Sequence, residues 1–236
     1  MAGKKLNGIR VAVLAADGVE QIELTSPVKH LEKHGAQIEV ISLHPGKIKG
    51  MNLLLPGKNI KVNRTIFRAN PDNYDALLIP GGHINPDFLR QSDSVLQFVR
   101  EFDAANKPIA VICHGPWVLV SAGVVKNRTL TSWPGIKDDV INAGGNWVNN
   151  AAVRDGNWIS SRSPLDLIQF NREMISLFAE HKASIKTSRR GRLLPTLGWL
   201  TAGAAVAAAI YGSNVFESRE GVEMEEEEEP VGTPVI

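Results

Sequence analysis

The chain is poor in cysteine: Cys113 is the only one among its 236 residues. A single thiol cannot close an intramolecular disulfide, which excludes the disulfide-stapled folds of small secreted proteins. The first eight residues lead directly into a strand-like apolar run and show no signal-peptide pattern. We therefore expect a reducing compartment and a cytoplasmic protein.

The chain also lacks the loops that bind nucleotides and the spacings that bind metals. Neither G-x-G-x-x-G nor G-x-x-x-x-G-K-[ST] occurs in it. Its six histidines are scattered without metal-ligand spacing. Aromatic residues are not interleaved with a basic stripe, as a nucleic-acid-binding surface would require. We expect no cofactor, no metal ion and no nucleic-acid partner.

Apolar side chains are plentiful, at 43% hydrophobic against 22% charged residues, which is ordinary for a globular protein with one sizeable core. Apolar runs at residues 9–16 and 36–43 flank a helix-like stretch that ends at Gly35. This β-α-β opening predicts a right-handed crossover and a parallel sheet. Two further apolar runs, residues 74–82 and 109–112, predict strands of the same sheet.

The rest of the chain to residue 181 adds helices and short strands to this pattern. The spacing of apolar residues predicts a helix over residues 87–105, and Asp155-Gly156 between alternating runs predicts a hairpin. Ser163 is a candidate cap of a last helix that runs through Phe178, and residues 59–62 are a candidate extra strand. We therefore predict an α/β fold with an open, doubly wound parallel sheet over residues 1–181.

Cys113 ends one of the predicted central strands and is followed at once by His114, Gly115 and Pro116. A strand that runs through a sharp turn into a helix exposes a nucleophile at the carboxyl edge of an α/β sheet. The alternative is a small buried hydrophobe at a strand end, which many free cysteines are.

Two acids, Glu20 and Glu23, follow the first strand and are expected at the same edge of the sheet. A buried glutamate can stay protonated and donate a hydrogen bond to a thiolate. The spacing does not decide which of the two points inward, and either can instead be a solvated acid in the first turn of a helix.

Glycines close the neighbouring strand at Gly81 and Gly82, where backbone N–H groups can approach a reacting carbonyl as an oxyanion hole requires. An ordinary turn is the alternative. Gly115 permits the tight turn after Cys113, and we include it among the candidate substrate-binding positions. His114 is a candidate general base, although neighbouring residues in a chain face each other only in an unusual turn.

Four motifs at matching spacing resemble the PfpI-type intracellular proteases of the ThiJ/PfpI superfamily: residues 17–23, 79–83, 110–117 and 132–139. The resemblance covers about residues 8–180. It implies a flavodoxin-like sandwich with a cysteine nucleophile elbow, so that residues 1–181 form a PfpI-like catalytic domain.

The resemblance also implies roles for individual residues. Cys113 is the nucleophile, His114 its catalytic neighbour, and Glu23 the glutamate that hydrogen-bonds the cysteine. Gly81 and Gly82 match the oxyanion site. Members form dimers or hexamers, and an acid from the neighbouring subunit, here Asp87, completes the site. We therefore expect a homo-oligomer.

Members of this superfamily act as peptidases, glyoxalase-like enzymes or deglycases. We therefore expect a cysteine-dependent hydrolase in stress response or carbonyl-damage repair, in which Cys113 attacks the electrophilic carbonyl of a carbonyl adduct or a peptide. The alternative is a non-catalytic redox sensor or chaperone that uses oxidation of Cys113.

The last part of the sequence differs in composition from the rest. Residues 182–192 hold five basic residues and no acid, and we expect them to be a linker. Residues 193–212 carry no charge and are long enough to span a bilayer, so we expect a membrane anchor or an alanine-rich docking helix. Residues 213–236, with eight glutamates and one arginine, predict a disordered acidic tail.

Overall fold

Apolar runs form most of the strands in a computed structural model that describes residues 4–192. In that range the strands are β1 (Arg10–Leu14), β2 (Val19–Glu20), β3 (Gln37–Ser42), β4 (Lys47–Asn52), β5 (Leu55–Lys61), β6 (Arg64–Thr65), β7 (Ala76–Ile79), β8 (Ile109–Ile112), β9 (Thr129–Leu130), β10 (Asn146–Trp147), β11 (Ala152–Asp155) and β12 (Trp158–Ser161). The helices are α1 (Gln21–Lys33), α2 (Asn85–Arg90), α3 (Asp93–Ala104), α4 (Pro116–Ala122), α5 (Lys137–Asn142) and α6 (Leu167–Arg192).

Seven strands form the central sheet in the order β11-β12-β8-β7-β1-β3-β6. All neighbours pair in parallel except β11 and β12, which form the predicted antiparallel hairpin at one edge. The order β3-β1-β7-β8-β12 is that of a flavodoxin-like sheet, in which the direction of winding reverses between the first strand and the third. The predicted doubly wound, flavodoxin-like α/β fold is confirmed.

The sheet is buried on both faces, which explains why its strands are continuous apolar runs. Because side chains alternate along a strand, Val11 and Val13 join one core layer while Ala12 and Leu14 join the other. Helices α1 and α6 cover the first layer, and α3 and α4 cover the second. Two independent apolar layers therefore hold the strand ends in register.

A second, three-stranded sheet lies beside the first. Strands β4 and β5 form an antiparallel hairpin, and β2 pairs with β4 in parallel. The candidate strand at residues 59–62 overlaps β5, but the hairpin as a whole was not predicted. It has a glycine at residue 50 and a proline at residue 56, which weaken the alternating pattern by which exposed strands are found.

Two helix predictions require correction. The helix predicted over residues 87–105 is two helices, because Ser92 has an extended backbone that ends α2 and begins α3. Ser163 does not cap α6: its side chain makes no capping hydrogen bond, and a single 3₁₀ turn, Pro164–Asp166, precedes the helix.

The basic segment 182–192 is the final part of α6 and not a separate linker. The predicted anchor at residues 193–212 and the predicted acidic tail at residues 213–236 lie outside the described residues. Within residues 4–192, no helix combines the length and the apolar character needed to cross a bilayer.

Replacing the fully buried Phe170 of α6 by alanine should lower the free energy of unfolding by about 3–5 kcal/mol, because it leaves a cavity against the sheet. Ile168→Ala, on the same helix but at a side chain that is 87% exposed, is the matched control and should change it by less than about 0.5 kcal/mol. Chemical denaturation followed by circular dichroism measures both. Equal losses would contradict the assignment of α6 to the core.

Candidate active site

Three neighbouring strands, β1, β7 and β8, deliver the candidate residues to one edge of the sheet. Glu23 lies in the first turn of α1 after β1, Gly81 and Gly82 follow β7, and Cys113 follows β8. These strands include the point at which the winding of the sheet reverses, where α/β proteins bind ligands beyond the carboxyl ends of their strands.

Cys113 occupies a strained turn between β8 and α4. Its φ angle is +62°, in the left-handed region that costs a non-glycine residue about 1–2 kcal/mol. Backbone hydrogen bonds hold the strain: the Cys113 N–H donates to the carbonyl of Ser161 at 3.0 Å, and its carbonyl accepts from the N–H of Trp133 at 2.8 Å. The side chain is 7% exposed. The predicted nucleophile-elbow turn is therefore present.

Glu23 is fully buried beside this turn. Its Oε2 accepts a hydrogen bond from the N–H of Gly81 at 2.8 Å, and its Oε1 has no hydrogen-bond partner in bonding geometry among residues 4–192. Burial raises the pKa of Glu23 to about 8, although hydrogen bonding with Cys113 and Gly81 opposes the rise. The carboxyl is therefore mostly protonated at neutral pH and can donate to the sulfur.

The protonation of Cys113 is coupled to that of Glu23. Burial and the negative charge of an ionised Glu23 raise the pKa of the thiol, whereas the backbone N–H groups of His114 and Gly82 lower it. When Glu23 holds its proton, the repulsion disappears and its O–H becomes a donor. The pair can therefore carry one negative charge, on the sulfur, while the carboxyl stays neutral.

The other candidate acid, Glu20, is directed elsewhere. Its Oε2 accepts the N–H of Leu53 at 2.8 Å, at the tip of the β4–β5 hairpin. The structure thus resolves the alternative that sequence spacing leaves open. Glu23 is the acid beside Cys113, and Glu20 holds a structural hydrogen bond.

The glycines differ in what their N–H groups can do. The N–H of Gly81 is used by Glu23, and that of Gly115 donates to the carbonyl of Ile112 at 2.9 Å. Gly82, with φ of +98°, directs its N–H toward the sulfur of Cys113. The N–H groups directed at the sulfur are therefore those of Gly82 and His114, and an oxyanion role for them stays a prediction.

The assignment of Gly115 to substrate binding requires correction. A Cβ at this position would lie 2.8 Å from the carbonyl oxygen of Ile79 and from a methyl of Val111. Gly115 therefore allows α4 to pack closely against the sheet, and its N–H is not free for a substrate. Gly82 is constrained as well, since a Cβ there would overlap the carbonyl oxygen of Gly18.

His114 faces the thiol in spite of being its neighbour in the chain. Its Nδ1 lies 3.3 Å from the Sγ of Cys113, a geometry that the left-handed turn makes possible. Burial, and then the nearby His83, lower the pKa of His114 to about 4, so that the ring is neutral at pH 7. The rings of His83 and Trp133 flank it at centroid distances of 4.6 and 5.8 Å.

Asp87 lies apart from these groups within the described chain. It is exposed on α2, and its Oδ2 accepts a hydrogen bond from the Nε2 of Gln91 at 3.2 Å. It makes no hydrogen bond with Cys113 or Glu23. A role for Asp87 in the site of a second copy stays a prediction.

Asn85 is the residue of the site that sequence reasoning missed. It is fully buried; its Oδ1 accepts the N–H of Ala16 at 2.6 Å, and its Nδ2 donates to the carbonyls of Pro80 and Gly81 at 2.9 and 3.0 Å. It thereby ties the end of β1 to the glycine turn. The only sequence signal was an asparagine before a proline near two glycines, which ordinarily indicates a loop.

Among residues 4–192, no three His, Cys, Asp or Glu side chains are grouped so that they could hold a metal ion. What the site contains is a thiol on a strained turn, a buried carboxyl, a neutral imidazole and two inward-facing N–H groups. Together with the fold, they define a flavodoxin-like α/β protein with a cysteine nucleophile elbow.

Comparison with known proteins gives this class a family. The model of the DJ-1/PfpI family matches residues 9–177, and the chain belongs to that family. A deglycase of Pyrococcus horikoshii is 41% identical over 169 residues, which are 72% of this chain and 99% of the relative. The protein/nucleic acid deglycase 2 of Escherichia coli is 38% identical over 170 residues, covering 71% of this chain and 96% of the relative.

A solved structure extends the likeness to three dimensions. A protein of Anabaena variabilis with a DJ-1/ThiJ/PfpI-like and a ferritin-like domain has a TM-score of 0.68 and 32% identity. The likeness covers 71% of this chain and 47% of that longer protein.

Glu23→Gln should raise the apparent pKa of Cys113 by about one unit, because an amide is a weaker donor to a thiolate than a protonated carboxyl. The rate of iodoacetamide alkylation across pH measures this directly, since Cys113 is the only thiol in the chain. Glu20→Gln is the matched control, and its profile should shift by no more than about 0.3 units. Equal shifts in both variants, or none in Glu23→Gln, would remove Glu23 from the site.

Proposed function

We propose that the chain is a cysteine-dependent hydrolase of the deglycase type, in which Cys113 attacks the electrophilic carbonyl of a carbonyl adduct. The observation that carries this proposal is the strained Cys113 turn beside a buried Glu23 that keeps its proton at neutral pH. Curated relatives named deglycases support a function of the DJ-1/PfpI type. Peptide hydrolysis is the second reaction that the same nucleophile could perform.

The first step of this mechanism is addition of the sulfur to the carbonyl carbon. A carbon–sulfur bond forms, the carbonyl π electrons move to oxygen, and the developing oxyanion is met by the N–H groups of Gly82 and His114. The carboxyl of Glu23 donates to the thiolate before attack and stays neutral throughout. The left-handed turn keeps the sulfur facing both donors.

His114 is the group placed to move protons in this mechanism. Its Nδ1 is in contact with Sγ and its ring is neutral at pH 7, so it can accept the thiol proton as the thiolate forms, before the attack, and give that proton to the leaving amine after the carbon–sulfur bond has formed. When the amine leaves the carbon that bears the sulfur, a thioester remains; water adds to its carbonyl carbon and the sulfur leaves as a thiolate. When the amine leaves a neighbouring carbon, the thiohemiacetal collapses instead: its hydroxyl oxygen becomes a carbonyl oxygen again and the sulfur is expelled as a thiolate.

The burial of Cys113 favours a substrate whose reacting carbonyl belongs to a small group over one whose reacting carbonyl lies within a peptide chain. Cys113 is only 7% exposed, so little of its surface is accessible to a bulky substrate. An adduct of a short aldehyde on an exposed side chain meets that requirement. We propose carbonyl-damage repair in the stress response as the setting of such a reaction.

The assembly of the protein is a further part of the proposal. We propose a homo-oligomer, a dimer or hexamer, in which the exposed Asp87 of one copy completes the site of another. Its carboxylate has only Gln91 as a side-chain hydrogen-bond partner among residues 4–192 and faces outward, which leaves it accessible to a second copy.

A non-catalytic redox sensor remains the second candidate. The observation that favours it is that the same buried carboxyl and N–H groups that stabilise a thiolate also favour oxidation of that thiolate by peroxide. Oxidation of Cys113 to sulfinate, without turnover of any carbonyl substrate, would replace the hydrolase proposal with this one.

Cys113→Ala should lower kcat/KM on the processed substrate by at least about a thousandfold while leaving the fold intact. The assay is a panel of methylglyoxal, glycated peptides and unfolded protein, with circular dichroism and thermal unfolding of the variant as the control for folding. Processing of glycated peptides by the wild type, and not by Cys113→Ala, supports the deglycase proposal. Full activity of the folded variant would overturn the proposal.

The location of the protein is a separate proposal that concerns residues outside the described range. We propose a cytoplasmic catalytic domain that residues 193–212 anchor to a membrane, because the basic residues 182–192 precede an uncharged run. The full chain should sediment with membranes and resist extraction by carbonate, whereas a chain ending at Arg192 should not resist it. Extraction of both chains alike would exclude the anchor.

A further inference from the structure

The tip of the β4–β5 hairpin exposes three consecutive leucines. Leu53, Leu54 and Leu55, here called the leucine tip, are 72%, 83% and 70% exposed. Leu53 has a φ angle of +57° and forms, with Leu54, the two-residue turn between the paired Asn52 and Leu55. Adjacent large apolar side chains that face water at the end of a projecting element mark a contact surface.

Backbone N–H groups of the hairpin donate hydrogen bonds to side chains outside it, and these bonds hold the leucine tip in place. The N–H of Leu53 donates to Glu20, the N–H of Lys58 donates to the Oε1 of Gln21 at 2.6 Å, and the N–H of Lys49 donates to Asp17 at 2.7 Å. Strand β2 pairs with β4 at Gly50 and Met51, close to the turn of the hairpin. The leucines are thus presented by an ordered scaffold, so ordering the tip adds little to the cost of binding.

The two strands that lead to the leucine tip carry charge of one sign. The hairpin, residues 47–61, contains four lysines, all exposed, and no acidic residue. Within residues 4–192, none of these lysines lies in an ion pair. The two acids at its base are already engaged, Asp17 by His44 and Glu20 by Leu53. The lysines are Lys47, Lys49, Lys58 and Lys61.

We propose that the β4–β5 hairpin docks the protein on an anionic lipid surface, with the leucine tip inserted among acyl chains and the four lysines at the headgroups. Apolar side chains that enter the interfacial region while flanking basic residues meet anionic headgroups are a recurrent mode of peripheral membrane binding. An anionic lipid surface can therefore bind the leucine tip and the four lysines at the same time.

A second copy of the chain fits the hairpin less well. Two leucine tips packed together would bring eight lysines, four from each copy, near one another without an acid on either hairpin. Like charges at such a contact oppose association, whereas anionic lipid attracts them. Lipid is therefore the occupant that satisfies both the leucines and the lysines.

The hairpin is linked directly to the candidate active site. Glu20, which holds the tip, immediately precedes α1, and Glu23 lies in the first turn of that helix. A hairpin seated on lipid therefore keeps the carboxyl edge of the sheet close to the membrane. This inference does not depend on the reaction that Cys113 performs.

A probe attached at the leucine tip tests the proposal in the full chain, independently of residues 193–212. In a Cys113→Ser background, Leu54→Cys provides the only thiol for an environment-sensitive dye. With vesicles of phosphatidylcholine and phosphatidylserine, the dye emission should shift to the blue and be quenched by lipids brominated in their acyl chains. Vesicles of phosphatidylcholine alone should give a much smaller shift.

Two controls separate this contact from others. The same dye at Gln97→Cys, exposed on α3 and on the opposite face of the sheet, should show no shift with either vesicle. Replacing all four lysines by glutamine in the Leu54→Cys chain should weaken the anionic-vesicle response at least about tenfold in lipid concentration.

Two results would overturn the proposal. The first is a chain that sediments with anionic vesicles while the dye at residue 54 stays in water, which would assign the binding to another part of the chain. The second is a protein-concentration-dependent blue shift at residue 54 without lipid, accompanied by dissociation of an oligomer on Leu54→Asn in sedimentation velocity. That result would assign the leucine tip to an interface between copies.

Discussion

The burial of the Glu23 carboxyl beside the Cys113 thiol is the interaction on which the rest of the site depends. A carboxyl that is fully enclosed and holds its proton at neutral pH changes from a repelling anion into a hydrogen-bond donor. A neutral Glu23 removes one of the two causes that raise the pKa of the Cys113 thiol; the other, burial, is opposed by the N–H groups of His114 and Gly82. The glycine turn serves this interaction, because Gly81 donates to Glu23 while Gly82 faces the sulfur.

The scaffold supports two unfavourable features, a left-handed cysteine and a buried acid. Ser161 and Trp133 fix the backbone of Cys113 by hydrogen bonds. Glu23 is bonded by Gly81, and Asn85 joins the turn that contains Gly81 to the end of β1. A sheet buried on both faces makes these anchors rigid. Strain of this kind persists only where the surrounding structure determines the conformation from several sides, as it does at this edge.

Most of the central sheet could be predicted from the sequence, because strands buried on two faces are short apolar runs bounded by glycine or proline. The predictions that proved wrong concern positions where the local sequence pattern and the tertiary structure disagree. Apolar spacing continued across Ser92, although the chain breaks there into two helices, and Ser163 had the residue type of a cap without its hydrogen bond. In the β4–β5 hairpin only the first four residues of β4 alternate between exposed and buried, and β5 has no buried residue, so the pattern is too short to predict a strand pair.

By itself, the sequence determined the order of the elements and the presence of a thiol after a central strand, since both follow from local patterns along the chain. It could not determine which acid meets that thiol, because Glu20 and Glu23 both follow the first strand closely. Only their tertiary contacts separate them: Glu23 accepts a hydrogen bond from Gly81 after β7, and Glu20 accepts one from Leu53 in the β4–β5 turn. The same holds for Gly115, whose N–H is bonded within the turn, and for Asn85, whose partners follow the ends of two different strands, β1 and β7. Contacts between residues distant in the chain are decided by how strands assemble, and the tertiary structure alone contains that information.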